Sequence, residues 1–269
     1  MHTSTLSRAV TLGLLVFTLG GCATSTAPGV IGADRRQLLL VPSEEINAMA
    51  AQAYDELKAK SNQEGVLNRD AGLLRRVQNI GSRLRPHTAV FRPDAPAWNW
   101  EVNLIQSDDL NAFCMPGGKI MFYSGLIEQL DLSDDEIAIV MGHEVAHALR
   151  EHSREQMSQA MAAQAAIGIG AAVLGQGVGN IAGTGYQALV ATRFSRTDET
   201  EADRIGLELV ARAGYDPRAG VTLWQKMISA NQGGRPPELL SSHPTEANRV
   251  REIEALLPTV MPLYEVARR

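Results

Sequence analysis

The chain has few cysteines, few aromatics and no strong charge of either sign, and each shortage excludes a class of protein. Two cysteines, Cys22 and Cys114, stand among 269 residues, too few for a disulfide framework. Aromatics make up only 5%, and 25 basic residues face 30 acidic ones for a net charge of −5. There is no basic stripe with interleaved aromatics, which argues against nucleic acid as a partner. Long apolar runs are missing too: Ala9 to Leu19 is too short to span a bilayer comfortably. What remains, 45% hydrophobic and 20% charged residues, describes an ordinary globular chain long enough for one sizeable core.

The N-terminus carries Arg8, that apolar run and then small residues, the pattern of a secretory signal. Leu19-Gly20-Gly21-Cys22 resembles the bacterial lipobox, in which the cysteine is lipidated and becomes the mature N-terminus. The expected organisation is therefore a leader over 1–21, a lipidated tether over 22–42 and a folded domain over 43–269. The expected location is periplasmic and lipid-anchored. Ala23 rather than Asp after the cysteine favours the outer membrane, by resemblance to enterobacterial sorting. With Cys22 lipidated, Cys114 has no partner for a disulfide.

Helical patterns are expected at about 43–60, 69–85, 197–213, 217–230 and 245–257, the last stopped by Pro258. Residues 98–106 alternate like a strand, and 110–125 looks like two short strands joined by a Pro-Gly-Gly turn. Ser133 and Glu136 form a capping-box pattern before an apolar run, so a helix is expected from Asp134 to about Met157. Residues 160–190, rich in Ala and Gly, read as tightly packed small-residue helices with loops, or else as a mobile cover or a membrane-apposed segment.

That capped helix holds three of the chain's six histidines, in "HEVAHALREH". His143 and His147, four apart, lie on one helical face and can meet one metal ion, with Glu144 placed to take a proton from an attacking water. His152 follows His143 by nine residues, about 900° of helical rotation, and is expected on the opposite, solvent-facing side. A catalytic zinc needs a third protein ligand. "SRTDETEADRIG" offers one in Glu199, with Asp203 one turn on, able to hold a ligand histidine by its other ring nitrogen.

H-E-V-A-H followed by S-R-x-x-E-x-E-A-D-x-x-G resembles the zinc metalloproteases of peptidase family forty-eight, which include HtpX, the Oma-type proteases and the CAAX prenyl proteases. "NAFCMPGGKIMFYSGLI" (111–127) and "SSHPTEANRV" (241–250) look like two further motifs of that family. The resemblance implies a predominantly helical α+β, gluzincin-like fold with a small antiparallel sheet beside the zinc helix. It implies one Zn2+ per chain on His143, His147 and Glu199, Glu144 as general base and proton donor, and Asp203 supporting a ligand. His243 and Arg249 would face the cleft as oxyanion donors, with His243 alternatively capping zinc in a resting form. The strand at Asn111, Ala112 and Phe113 would bind substrate peptide along its free edge. Cys114, alternating with Phe113, is expected to be a small core residue. The implied role is cleavage of unfolded or misassembled envelope polypeptides. The competing reading is a lipoprotein chaperone or assembly factor with little proteolytic activity.

Overall fold

Ser133 caps a helix whose next sixteen residues contain only four carboxylates and two histidines among apolar side chains, and that helix becomes the centre of the molecule. The computed structural model describes residues 22–173, 193–232, 237–243 and 248–269. In chain order its elements are β1 (Cys22–Ala23), β2 (Gln37–Leu38), α1 (Ser43–Gln63), α2 (Ala71–Leu84), β3 (Glu101–Ile105), β4 (Ala112–Met115), β5 (Lys119–Tyr123) and α3 (Ser124–Gln129). Then come α4 (Asp134–Leu149), α5 (His152–Val173), α6 (Arg196–Arg212), α7 (Ala219–Gln232), α8 (Leu239–Ser242) and α9 (Arg249–Ala267). The Ser133–Glu136 capping box forms as expected, and Ser195 with Asp198 makes a second one at the start of α6.

The fold is helical with a small sheet, ordered β3-β5-β4. An antiparallel sheet was expected, but only β4 and β5 pair that way; β3 runs parallel to β5. Two reversals, one in the loop after β3 and one at Gly117-Gly118, restore the original direction. Both glycines hold positive φ (79° and 81°), and a side chain on Gly118 would lie 2.6 Å from the Trp100 ring. Among the described strands β4 lies at one edge of the sheet, and its residues alternate as pleating requires. Ala112 and Cys114 join the core around α4, whereas Phe113 and Met115 join a second cluster under α1.

Every residue of α4 from Glu136 to Leu149 is buried. It lies between β4 on one side and α6 on the other. The approach to α6 is close because glycines meet: a Cβ on Gly206 would fall 2.8 Å from the His143 nitrogen, and one on Gly142 would fall 2.9 Å from the Gly206 carbonyl oxygen.

Four further expectations are corrected. The helix opened by Ser133 stops at Leu149, because Glu151 adopts a left-handed conformation (φ 53°), and α5 then starts afresh in a new direction. The rotation argument for His152 therefore fails, and the residue is fully buried rather than solvent-facing. Residues 22–42 are not a free tether. β1 pairs with β2, Ile31 and Ala33 enter the core, and Thr26, Gln37 and Val41 are buried. The last helix runs through Pro258 and Pro262 to Ala267. Both prolines are exposed, as is Glu254, so the carbonyls of Glu254 and Pro258 that lose their partners face water at little cost. Residues 1–21 and 174–190, and 244–247 within the late motif, lie outside the described residues. No helix among the described residues is long and apolar enough to cross a membrane.

The close crossing makes a prediction. Gly206→Ala should lower stability by about 1–3 kcal/mol, the usual cost of overpacking. Urea unfolding should show a lower midpoint with an unchanged slope; an unmoved midpoint would remove the close-approach argument.

Candidate metal centre

The glycine crossing lets α6 present its acidic first turns to the histidine face of α4. His143 and His147 project from α4, Glu199 and Asp203 from α6, His243 from the end of α8, and Arg249 from the first turn of α9. His143, His147, Glu199 and His243 offer ligand atoms that all lie within 4.8 Å of one another, and all four residues are buried. The two Nε2 atoms are 3.1 Å apart. Glu199 Oε2 lies 3.5 Å from His143 Nε2, and Oε1 lies 3.4 Å from His147 Nε2. Zinc–ligand bonds of about 2.0–2.2 Å in a tetrahedron separate the donor atoms by ~3.3–3.6 Å. Both carboxylate–imidazole separations fall in that range and the nitrogen pair lies just under it, so two imidazoles and a carboxylate fit zinc in chemistry and nearly in spacing.

His243 Nδ1 joins the same group, 2.8 Å from Glu199 Oε1 and 3.2 Å from His143 Nε2, while its Nε2 faces Glu144 Oε1 at 3.5 Å. Glu144 Oε1 is buried without a hydrogen-bond partner. Burial raises the Glu144 pKa, and the neighbouring Glu199 charge pushes the same way, against the pull of His243 and His143. Glu199 behaves oppositely: burial disfavours its charge, but His243, His143 and His147 outweigh burial and hold it well below the usual carboxylate range. Burial pushes His147 well down, toward the neutral form a ligand needs.

Asp203 stands where the sequence pattern placed it, with Oδ1 2.9 Å from His143 Nδ1. Arg249 does not. Expected to offer its donors to the cleft, it is buried, donating from Nη1 to Glu199 Oε2 and from Nη2 to Asp203 Oδ1, each at 2.7 Å. Its guanidinium lies 3.7 Å above the Trp224 ring centroid. Burial opposes its charge, yet Asp203 and Glu199 raise its pKa further. Sequence reasoning also missed Phe194, whose ring stacks on His147 at 3.9 Å. Nothing in the spacing of Phe194 or Trp224 marks either one.

Ala112 and Phe113 open β4, with Asn111 just before it, and only the even-numbered side chains of β4 turn toward α4. Cys114 is free and buried, its pKa raised by burial and by the nearby Glu144 charge. A cavity of about 20 Å³ lined by Val140, Leu223, Met227 and Leu239 abuts His143, Glu144 and His243. A much larger surface hollow, about 620 Å³ beside Arg75, Arg76 and Tyr215, shares no residue with the donor group.

Comparison with known proteins spans the same residues. The profile of peptidase family M48 matches residues 74–257. The mitochondrial metalloendopeptidase OMA1 of Schizosaccharomyces pombe is 36% identical over 160 residues, 59% of this chain and 47% of the relative. The mitochondrial OMA1 of Bos taurus is 28% identical over 247 residues, 86% of this chain and 46% of its own. The beta-barrel assembly-enhancing protease of Escherichia coli K12 is 30% identical over 196 residues, covering 68% of this chain and 38% of the relative. The chain thus spans about half the length, or less, of these relatives. They also correct the location expected from the N-terminus. Relatives from two yeasts, cattle and Arabidopsis thaliana are named mitochondrial, against the periplasmic, lipid-anchored outer-membrane address. The catalytic domain is shared by differently addressed proteins, so its motifs carry no address.

Arg249 neutralises two buried carboxylates, and its loss tests that role. Arg249→Met should cost about 3–5 kcal/mol in the metal-free protein, the range for orphaning a buried ion-pair partner. Denaturant unfolding in the presence of a chelator measures this, and a loss under about 1 kcal/mol, the range of a surface pair, would contradict the assignment.

Proposed function

Because the chain belongs to peptidase family M48, we propose that it is a zinc-dependent endopeptidase that hydrolyses internal peptide bonds. The observation that carries this reading is the convergence of His143, His147 and Glu199 beside an unpartnered Glu144 oxygen. Those three residues would hold the ion, which when bound supplies a Lewis acid that polarises a peptide carbonyl and acidifies water.

The remaining chemistry belongs to the chain. Glu144 takes the proton of the attacking water and returns it to the leaving nitrogen. Its raised pKa brings it nearer the operating pH, where a general base also serves as an acid. Asp203 accepts from His143 Nδ1 and so fixes that ring with Nε2 toward the ion. Arg249 keeps both α6 carboxylates ionised and in place. His243, between Glu199 and Glu144, offers its Nδ1 to the donor group in a resting arrangement. The rival role for the same ring is to donate a hydrogen bond to the developing oxyanion from Nε2, which faces Glu144.

Substrate enters as an extended strand along β4, at Asn111, Ala112 and Phe113. Main-chain pairing gives affinity with little sequence preference. Such binding suits unfolded or misassembled polypeptides, and a relative named for assembly of beta-barrels supports quality control as the role. The chaperone alternative leaves the catalytic donor set and the buried Glu144 without a use.

Glu144→Gln keeps the side chain's shape and removes the base. Zinc content should stay at one ion per chain while casein hydrolysis falls by about 10²-fold or more. Equal digestion by variant and parent, or none by the zinc-loaded parent, would reject the peptidase reading.

A further inference from the structure

Behind His147 lies a second group of ligand-type side chains. His152, Asp198 and Glu201 are all buried, with donor atoms close enough together to resemble another metal site. The surrounding charges argue otherwise. Glu201 receives Arg150 Nε at 3.1 Å and Nη2 at 3.0 Å, and Arg35 Nε and Nη2 at 3.2 Å each. Asp198 accepts from Arg35 Nη2 at 3.2 Å and from the backbone nitrogen of Ser195 at 3.0 Å. Arg35 and Arg150 already pair with Glu201, Asp198 and the neighbouring Glu155, and their donors occupy the carboxylate lone pairs that a cation would need.

What the group does hold is a zinc ligand. His152 Nδ1 lies 2.8 Å from His147 Nδ1, and His152 Nε2 lies 3.1 Å from Glu201 Oε2. The positions of the ring protons set the direction of both bonds. His147 turns Nε2 toward Glu199 and His143, so its hydrogen sits on Nδ1. The contact between two Nδ1 atoms then needs His152 to accept, which leaves the His152 hydrogen on Nε2, facing Glu201. We propose that His152 is a positioning residue for the metal centre, linking His147 to Glu201 and so locking the tautomer and ring orientation of that ligand. This rests on the zinc-site reading above.

The support does not end at Glu201. Arg150 is fully buried and donates from Nη1 to the hydroxyls of Thr24 and Thr26 and from Nη2 to the Arg35 carbonyl. The N-terminal segment therefore closes the chain of hydrogen bonds that begins at His147. Asp203 supports His143 with a carboxylate, whereas His147 is supported by a neutral ring backed by a carboxylate. The two ligand histidines are oriented by different devices.

The test measures zinc affinity of the full chain by competition with a chelator of known strength, with cobalt(II) as a spectroscopic probe. His152→Leu removes both bonds and should weaken zinc binding by about 10- to 100-fold. It should also shift the visible cobalt bands and lower kcat while KM holds. His152→Gln, whose amide can accept at Oε1 and donate at Nε2, should recover most of each loss. Parent-like affinity and an unchanged cobalt spectrum in His152→Leu would overturn the proposal. Should His152→Leu fail to fold, nitrogen-15 spectra of the zinc-loaded parent decide it. Slowly exchanging protons on His147 Nδ1 and His152 Nε2 are expected, and a His152 proton on Nδ1 is disqualifying. A parent protein that takes up no zinc removes the metal site and this proposal together, whereas the other failures remove this proposal alone.

Discussion

Everything at the centre depends on how closely α4 and α6 approach. Glu199 must bring a short side chain to two nitrogens on a neighbouring helix, and only glycine at 142 and 206 leaves room for that. Gly142 immediately precedes the first ligand, and Gly206 lies one turn past Asp203, so the contact sits level with the donors it serves. The same approach explains why α4 is buried on all sides. With α2 and α7 also packed on it, a helix pressed against α6 and the sheet has no face left for solvent, and beyond its capped first turn its polar side chains are His143, Glu144 and His147.

Such burial makes charge the next problem, and identical side chains meet it differently. Glu199 is surrounded by imidazoles and by Arg249, which keep it ionised as a ligand must be. Glu144, beside the first ligand on α4, lacks a partner at Oε1 and is pushed toward its neutral form. In the proposed mechanism, environment rather than residue type separates ligand from base. Arg249 is central to this separation: it satisfies Glu199 and Asp203 together and leaves Glu144 unserved.

Much of this was legible in the sequence, and the boundary between legible and hidden has a physical cause. The capping box at Ser133, the helical face shared by His143 and His147, the pairing of Glu199 with Asp203 and the strand–turn–strand at 112–123 are local patterns, set by periods of 3.6 or 2 residues. What failed required knowledge of where the chain turns. A continuous helix would have put His152 on its far side, and one left-handed residue, Glu151, folds it inward instead. Residues 22–42 read as a tether because their small polar composition hides contacts made more than a hundred positions away, such as Gln37 with the Arg150 carbonyl. Arg249 fell near the cleft in sequence reasoning, yet its partners are fixed by three helices whose crossing no local pattern specifies.

The break at Glu151 shows why such a feature survives. A non-glycine residue in the left-handed region costs about 1–3 kcal/mol and persists only where its surroundings over-determine it. Here they do. The Glu151 carboxylate accepts from Ser43 Oγ at 2.5 Å and from Arg154 Nη1 at 2.7 Å, and its carbonyl accepts the Glu155 nitrogen that starts α5. On the residue before it, Arg150 is enclosed by Glu201 and the N-terminal segment. An unbroken helix would carry His152 away from His147 and leave that ligand's Nδ1 buried with no acceptor. The local strain at Glu151 is thus offset by the contacts of its neighbours on both sides, and the second half of the histidine motif folds back onto the first.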